Sequence, residues 1–241
     1  MEYLKFENNF IRKAKQINIE VNETQIKQFF LYTEELIRWN QKMNLTAIID
    51  PEEILLKHFI DSVCIVNQIK EDSKIIDVGT GAGFPGVPIK IMKNKCKMTL
   101  IDAVNKKVEF LRCLCKELAF DQIEILHTRA EDLAKDPYYR ESYDVAVSRA
   151  VAELKTLLEY LLPFIKVGGT CICMKGPNAV NEIGQAKRAM QILGGRIKEV
   201  KEIVLPESEI KRSIIVIEKI KNTPKSYPRK AGKPKKEPIE N

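Results

Sequence analysis

The chain has 241 residues, of which 44% are hydrophobic and 30% are charged, and its formal net charge at pH 7 is +7. This length allows one large domain with an appendage and a sizeable core, and the positive charge favours an acidic partner. No stretch is long and apolar enough to span a bilayer, and the N-terminus lacks a signal-peptide pattern, so the chain is expected to be cytoplasmic with no membrane partner.

Two helical segments are predicted in the first seventy residues. Asn22 and Gln25 form a capping-box pattern, which is followed by apolar residues at helical spacing. Asp50 and Pro51 have the residue types preferred at an N-cap and at the first helical position, so another helix is expected to begin there. Residues 1–70 are therefore predicted to form a helical N-terminal subdomain.

Short β-rich runs alternate with amphipathic segments in residues 71–220. Seven strands are predicted, with the sequences KIIDVG, MTLID, IEILH, YDVAVSR, GTCICMK, IKEVKEIVL and RSIIVIEKI. Helical patterns are expected around residues 85–92, 104–118, 133–141, 152–164 and 178–193. This alternation predicts an α/β domain with a mostly parallel sheet covered on both faces. The last two strands are too close together for a crossover helix and should form an antiparallel hairpin.

Residues 221–241 differ from the rest of the chain in composition. They contain seven Lys or Arg, two Glu and four Pro, so this segment carries +5 of the net charge of +7. Because it has almost no apolar residues, it is predicted to be a disordered basic tail. Its function is interpreted either as solubilising the chain or as binding phosphates.

The six cysteines show no metal-binding spacing. The two close pairs, Cys113 with Cys115 and Cys171 with Cys173, are C-x-C rather than C-x-x-C. Ordinary reduced thiols are predicted, and no metal is expected.

The first predicted strand leads into a loop that has no side chain at three positions, Gly79, Gly81 and Gly83. In open α/β sheets, ligands bind beyond the carboxyl ends of the strands, where glycines allow the backbone to approach closely. Asp77 precedes the loop. Asp102 ends the next strand, where a carboxylate can accept hydrogen bonds from ribose hydroxyls.

The spacing of these glycines, G-x-G-x-G, differs from the nicotinamide dinucleotide fingerprint G-x-G-x-x-G. That fingerprint fits only if it begins at Gly81, two residues after the end of the strand. An NAD-dependent oxidoreductase is therefore kept as an alternative.

The loop after the third strand, RAED at residues 129–132, offers main-chain groups to an adenine edge. The glycine loop, the acid ending the second strand, this acidic loop and the terminal hairpin together resemble the class I S-adenosylmethionine-dependent methyltransferases. The resemblance covers roughly residues 70–220. It implies a Rossmann-like fold and S-adenosylmethionine as the cofactor.

The segment after the fourth strand limits which kinds of methyl acceptor the enzyme could use. The N/D-P-P-Y/F loop of amino-group methyltransferases is absent there, and Cys171 stands within a strand pattern, unlike the nucleophile of cytosine C5 enzymes. Arg149 has no obvious base or nucleophile beside it. Guanine N7 suits such a site, because its lone pair is free and no proton must leave before attack. Arg149 is a candidate for orienting the substrate or the cofactor.

Six phrases indicate a family: WNQKMNLTAI, HFIDSV, DVGTGAGFPGVPIKI, AEDL, DVAVSRAVAEL and MKG. In this order they closely resemble the bacterial small-subunit rRNA guanine-N7 methyltransferases, the glucose-inhibited division protein B family. The resemblance covers most of residues 22–220. It implies methylation of a guanine at N7 in 16S rRNA, in the decoding-site region of the small ribosomal subunit. A monomer is expected, and a non-catalytic RNA-binding protein that keeps the cofactor fold is a second alternative.

The resemblance also implies cofactor contacts at Gly79, Phe84, Ala130, Glu131 and Arg149. The strand-end argument adds Asp77, Gly81, Gly83 and Asp102 to this set. Candidates for contact with the substrate are Lys175, Asn44 and His58. His58 lies on an apolar helix stripe, which favours a core histidine with a polar neighbour, whereas Lys175 follows the fifth strand and is a candidate phosphate contact.

Overall fold

A computed structural model describes residues 2–177 and 179–240 of the chain. The α-helices are α1 Tyr3–Gln16, α2 Glu23–Met43, α3 Pro51–Ile54, α4 Asp61–Val63, α5 Gly86–Met92, α6 Asn105–Glu117, α7 Ala130–Leu133, α8 Leu154–Leu161, α9 Ala179–Gln185, α10 Lys187–Leu193 and α11 Lys233–Lys236. The strands are β1 Lys74–Val78, β2 Lys97–Asp102, β3 Ile123–His127, β4 Tyr143–Arg149, β5 Ile165–Lys175, β6 Gly195–Val204 and β7 Lys211–Lys219.

Helices α2 and α3 begin where the capping patterns predict. The Asn22 side chain accepts a hydrogen bond from Gln25 N, and Gln25 returns one to Asn22 N, both at 2.9 Å. Asp50 caps α3, which continues through a π-helix at Leu55–Ile60 into α4. These helices share one apolar core with a face of the sheet, so they cover that face directly.

The seven strands form one sheet in the order β3-β2-β1-β4-β5-β7-β6. Strands β1 to β5 pair in parallel, whereas β7 pairs antiparallel with both β5 and β6. The predicted seven-stranded sheet with its terminal hairpin is confirmed. Helices α8 and α10 pack on the face opposite the N-terminal helices, where a second apolar core lies.

The helix predicted at residues 133–141 is wrong in its bounds, because α7 ends at Leu133. Pro137 has no backbone N–H for the next helical hydrogen bond, so the chain continues as turns. Residues 1, 178 and 241, which belong to the predicted subdomain, to the predicted helix 178–193 and to the predicted tail, lie outside the described residues.

The structure differs from the prediction of a disordered tail, because residues 221–240 pack against the domain. The Arg140 guanidinium donates to the carbonyls of Thr223 and Tyr227, each at 2.8 Å, and Ile239 is only 7% exposed. The partners of this segment lie far away in sequence. Composition counts its few apolar residues but does not register these hydrogen bonds.

Within residues 2–177 and 179–240, no helix has the length and apolar character needed to cross a bilayer.

Candidate active site

The site lies where β1 and β4 run side by side at the centre of the sheet. The chain leaves β1 toward α5 on one face and leaves β4 toward α8 on the other face. This reversal opens a crevice beyond the carboxyl ends of the two strands, which is the position where open α/β sheets bind ligands.

Three glycines in the loop after β1 have left-handed backbones, but they do not share one function. Gly79 and Gly81 are half-buried, and a Cβ on Gly81 would have only the Lys107 ammonium within 4 Å, at 3.9 Å. A Cβ on Gly83 would lie 2.5 Å from the Tyr32 hydroxyl, which itself donates to Ala82 O. Gly83 therefore allows the loop to pack on α2, and its contact with the cofactor stays a prediction.

Asp77 is fully buried beneath the loop. Its Oδ2 accepts a hydrogen bond from Gly86 N at 2.8 Å, which holds the start of α5. Burial raises the pKa of Asp77 to about 7, although the hydrogen bond from Gly86 opposes this rise. Among the described residues, Asp77 Oδ1 and the buried Thr80 Oγ1 have no hydrogen-bond partner.

Asp102 connects the end of β2 to the glycine loop. Its Oδ2 accepts from Gly81 N and its Oδ1 from Val104 N, both at 2.9 Å, and the Lys107 ammonium lies 3.8 Å away. A carboxylate oxygen has a second lone pair, so each oxygen can still accept a hydrogen bond from a ligand hydroxyl.

A first cavity of about 220 Å³ lies beyond β1, β2 and β3. Its walls include Gly79, Asp102, Ala130, Glu131, Val151, Tyr160, Gly232 and Lys235. Ala130 and Glu131 are thus in the cavity where the sequence placed them. Glu131 is 5% exposed, and its Oε1 accepts a hydrogen bond from Gly232 N at 2.8 Å.

A second cavity of about 370 Å³ shares Gly79, Asp102 and Val151 with the first. It extends over the glycine loop to Thr46, His58, Gly81, Phe84 and Arg149. The linings of the two cavities together contain seven of the nine predicted cofactor residues: Gly79, Gly81, Phe84, Asp102, Ala130, Glu131 and Arg149.

The other two, Asp77 and Gly83, line neither cavity. Asp77 lies under the glycine loop and Gly83 faces α2, so both support the loop from behind.

Arg149 connects the end of β4 to the helical segment that includes α4. Its Nη1 donates to Lys57 O and to Asp61 Oδ2, both at 3.1 Å, and Asp61 also accepts from Arg212 Nε at 3.1 Å. The Asp61 side chain is 2% exposed, so one buried carboxylate holds two guanidinium groups. This arrangement fixes Arg149 at the border of the second cavity.

His58 contributes to the same border. Its Nδ1 lies 3.1 Å from Arg149 Nη2 and its Nε2 lies 3.1 Å from Thr46 Oγ1, which agrees with a core histidine that has polar neighbours. The ring stacks on Phe84 with centroids 4.3 Å apart, and the Arg149 guanidinium lies 5.0 Å from the Phe84 centroid. Burial, followed by the Arg149 charge, lowers the pKa of His58 to about 3, so the ring is neutral at pH 7.

A third cavity, of about 440 Å³, lies on the other side of Arg149 and His58. Lys175 lines it, but the Lys175 ammonium donates to Ala152 O at 2.6 Å and pairs with Glu182 at 2.7 Å. These protein acceptors occupy the ammonium, so the arrangement does not support Lys175 as a phosphate contact. Asn44 is exposed at the C-cap of α2 and lines none of these three cavities.

The cysteines take no part in these cavities. Cys171 and Cys173 are fully buried, and burial raises the pKa of both thiols, that of Cys173 to about 12. Among the described residues, no group of three or more His, Cys, Asp or Glu side chains is placed to hold a metal ion.

Sequence reasoning gave no role to Asp61, Arg212 or Val151. The spacing of His58, Asp61 and Ser62 places them on one helix face, which is a signal that Asp61 points with His58 toward the sheet. Arg212 lies 151 residues from Asp61, and no local pattern connects the two.

Comparison with known proteins identifies the family. Residues 25–214 match the family model GidB, described as rRNA small subunit methyltransferase G. The chain belongs to this family. A curated relative from Acetivibrio thermocellus, named ribosomal RNA small subunit methyltransferase G, is 50% identical over 98% of this chain and 98% of its own length. A relative of the same name from Alkaliphilus oremlandii is 51% identical over 94% of this chain and 95% of its own length.

Solved structures support the fold of this GidB-family chain. A SAM-dependent methyltransferase from Aquifex aeolicus superposes with a TM-score of 0.52 and 21% identity, covering 70% of this chain and 93% of that one. A precorrin-6y C5,15-methyltransferase from Geobacter metallireducens gives a TM-score of 0.51 and 13% identity, covering 66% and 87%. The predicted Rossmann-like class I methyltransferase fold is confirmed.

S-adenosylmethionine is the cofactor of this methyltransferase. The residues present fit it, because Thr80 lines the second cavity and its unpartnered Oγ1 can donate to or accept from a polar ligand at the loop. Asp102 can accept from hydroxyls, and Gly81 leaves the backbone open to close approach, whereas the Cβ position of Gly79 is filled by Val151 Cγ2, 2.6 Å away. Nothing in the comparisons supports the NAD-dependent alternative.

Proposed function

We propose that this chain transfers a methyl group from S-adenosylmethionine to N7 of a guanine in 16S rRNA of the small ribosomal subunit. The observation that carries the proposal is the third cavity, which adjoins the cofactor cavities at Arg149 and His58. It provides a place for an acceptor base next to the second cavity, with which it shares His58 and Arg149.

The cofactor supplies an electrophilic methyl group when it is bound. We assign its contacts to the residues that line the first two cavities, with Asp102 and Glu131 as the carboxylates. Gly81 lets the cofactor approach the main chain, Gly79 makes room for Val151, and Asp77 holds the loop from below. These groups bind and orient, and none has to move a proton.

The third cavity has the charge expected of a site for RNA. Besides the Lys175–Glu182 ion pair, its lining includes three cationic side chains, Lys57, Arg149 and Arg212, against the carboxylate of Asp61. A net positive lining attracts the phosphate backbone that accompanies a target base. The helices of residues 1–70 supply part of this wall, so we propose that this subdomain helps to hold the acceptor.

The chemistry of the third cavity favours an acceptor that has no proton to lose. The cavity contains no cysteine among the described residues, and His58 already has polar neighbours at both ring nitrogens. Guanine N7 is a neutral nitrogen with a free lone pair, so positioning is the main requirement. We assign that positioning to Arg149, because three contacts to the helical segment hold its guanidinium.

We also propose that the protein acts as a cytoplasmic monomer, which suits access to ribosomal RNA. Size-exclusion chromatography with light scattering should give the mass of one chain, 27.6 kDa. A stable dimer would contradict this part of the proposal.

The test uses 16S rRNA and small subunits from a strain that lacks the corresponding gene. Purified protein with S-adenosylmethionine should add methyl to one guanine, detected as 7-methylguanosine by mass spectrometry and located by borohydride and aniline cleavage. Arg149→Lys, which keeps the charge but loses the planar fork, should lower the rate while the protein stays folded. Methylation at another atom would refute N7 as the acceptor. A protein that binds the cofactor but methylates neither substrate would favour the non-catalytic alternative.

A further inference from the structure

We propose that residues 221–240, the C-terminal strap, form part of the cofactor site by holding Glu131 and closing one end of the first cavity. This inference rests on the proposed function, because it assigns the strap to the binding of S-adenosylmethionine. The strap would then be a positioning element of the enzyme rather than a free basic arm.

The strap is anchored to α8 by a buried ion pair. The Arg229 guanidinium meets the Glu159 carboxylate through Nε at 3.0 Å and Nη2 at 2.7 Å, and Arg229 N donates to the same carboxylate at 2.8 Å. The Glu159 side chain is 1% exposed. A two-pronged contact of this kind fixes both position and direction.

Further anchors lie on either side of this ion pair. Toward the N-terminal end, Thr223 N donates to Glu141 at 2.7 Å, and Thr223 Oγ1 donates to Leu193 O at 2.8 Å. Toward the C-terminal end, Pro234 and Ile239 are buried against the domain. The strap is therefore held at both ends and in the middle.

Between these anchors the strap reaches the cofactor cavity. Gly232 N donates to Glu131 Oε1 at 2.8 Å, and both Gly232 and Lys235 line the cavity together with Asp102. Gly232 has φ +82, and a Cβ there would meet nothing within 4 Å. The glycine is thus required by the backbone conformation that aims its N–H at Glu131, and not by lack of space.

This contact has a consequence for ligand binding. A hydrogen bond to a carboxylate is strong, and it sets the orientation of Glu131 before a ligand enters. Lys235 brings a positive charge to a lining that holds two acids, Asp102 and Glu131. Loosening the strap should therefore weaken cofactor binding even when the altered residue lies outside the cavity.

The experiment measures binding of S-adenosylhomocysteine by calorimetry, without RNA. Arg229→Ala removes the main anchor, and Arg229 does not line the first cavity. We expect its Kd to rise about tenfold, which is the order expected when one charge-assisted hydrogen bond in the site is lost. Lys225→Ala is the matched control, because Lys225 is an exposed cation of the same strap and does not line the cavity. Its Kd should equal that of the wild type.

Thermal unfolding of the same variants shows whether the strap positions Glu131 for the cofactor or only stabilises the fold. An Arg229→Ala variant with a lower Tm and an unchanged Kd would overturn the inference, because the strap would then stabilise the fold without contributing to cofactor binding. If Arg229→Ala does not fold, hydrogen exchange on the full wild-type chain decides. Amides of residues 229–235 should exchange more slowly with saturating S-adenosylhomocysteine, and equal exchange would overturn the inference.

The two proposals fail in different ways. If the wild-type protein does not bind S-adenosylhomocysteine, the cofactor assignment fails. If the wild type and Arg229→Ala bind it equally, only the strap inference fails. Absence of rRNA methylation in a protein that binds the cofactor would refute the proposed function and leave the result on the strap intact.

Discussion

The two glycines that flank Ala82 provide a sharp test of the loop after β1, because the structure gives them different surroundings. In Gly83→Ala, the new Cβ would lie 2.5 Å from the Tyr32 hydroxyl and 2.8 Å from Val87 Cγ2, with a backbone φ of +105. In Gly81→Ala, the Cβ would meet only the Lys107 ammonium, at 3.9 Å, with φ +64.

The expected losses of stability follow from these contacts. A strained backbone costs about 1–3 kcal/mol and overpacking about 1–3 kcal/mol, so Gly83→Ala should lower the free energy of unfolding by about 2–6 kcal/mol. Gly81→Ala carries only the backbone strain, about 1–2 kcal/mol. For a chain of this size each kcal/mol shifts Tm by about 2–4 °C, so Gly83→Ala should unfold at a clearly lower temperature than Gly81→Ala.

The assay combines urea unfolding with calorimetric binding of S-adenosylhomocysteine. In Gly81→Ala, the main effect should be a loss of affinity for S-adenosylhomocysteine rather than a loss of unfolding free energy, since its new methyl group enters the cofactor cavity. In Gly83→Ala, the main effect should be a loss of unfolding free energy, because Tyr32 is fully buried and the loop must move to make room for the new methyl group. Equal Tm values for the two variants would refute the distinction between a packing glycine and a cofactor glycine.

Three further predictions concern groups around the crevice. The pKa of His58 is about 3 in the folded state and 6.5 in the unfolded state, so the unfolded state binds more protons between these two pH values. The free energy of unfolding should therefore fall as pH drops from about 6.5 toward 3. His58→Gln should make this pH dependence weaker, as measured by urea unfolding. Cys173→Ala should keep its rate of rRNA methylation, because the buried thiol lines none of the three cavities described above; loss of methylation by a folded variant would point to a nucleophile. Asp61→Asn leaves Arg149 and Arg212 without their shared charge, so unfolding free energy should fall by about 3 kcal/mol, and an unchanged value would contradict the network.

The pH experiment needs one control. The raised pKa of Asp77, about 7, means that the folded state binds more protons than the unfolded state between about pH 4 and 7, so stability falls as pH rises through this range. This slope opposes that of His58. Subtracting the free energy of unfolding of His58→Gln from that of the wild type at each pH removes the Asp77 contribution, which both proteins share. A difference that does not vary with pH would contradict the lowered pKa of His58.

Much of the fold could be predicted from local patterns. The capping box at Asn22, the seven strands, the antiparallel hairpin and the glycine loop all depend on residues close together in the chain. Short-range hydrogen bonds, apolar periodicity and backbone preference determine such features, and the sequence displays these directly. For the same reason, the position of the cofactor crevice at the end of β1 could be placed in advance.

The tertiary structure decided which groups meet. Gly81 and Gly83 look alike in sequence, but only Gly83 lies against Tyr32, 51 residues earlier in the chain. Likewise, the strap looks disordered by composition, yet Arg229 and Gly232 find buried carboxylates 70 and 101 residues away. Contacts of this kind depend on the packing of distant segments, and a buried charge or an N–H gains its energy only when that packing brings a partner within hydrogen-bond distance.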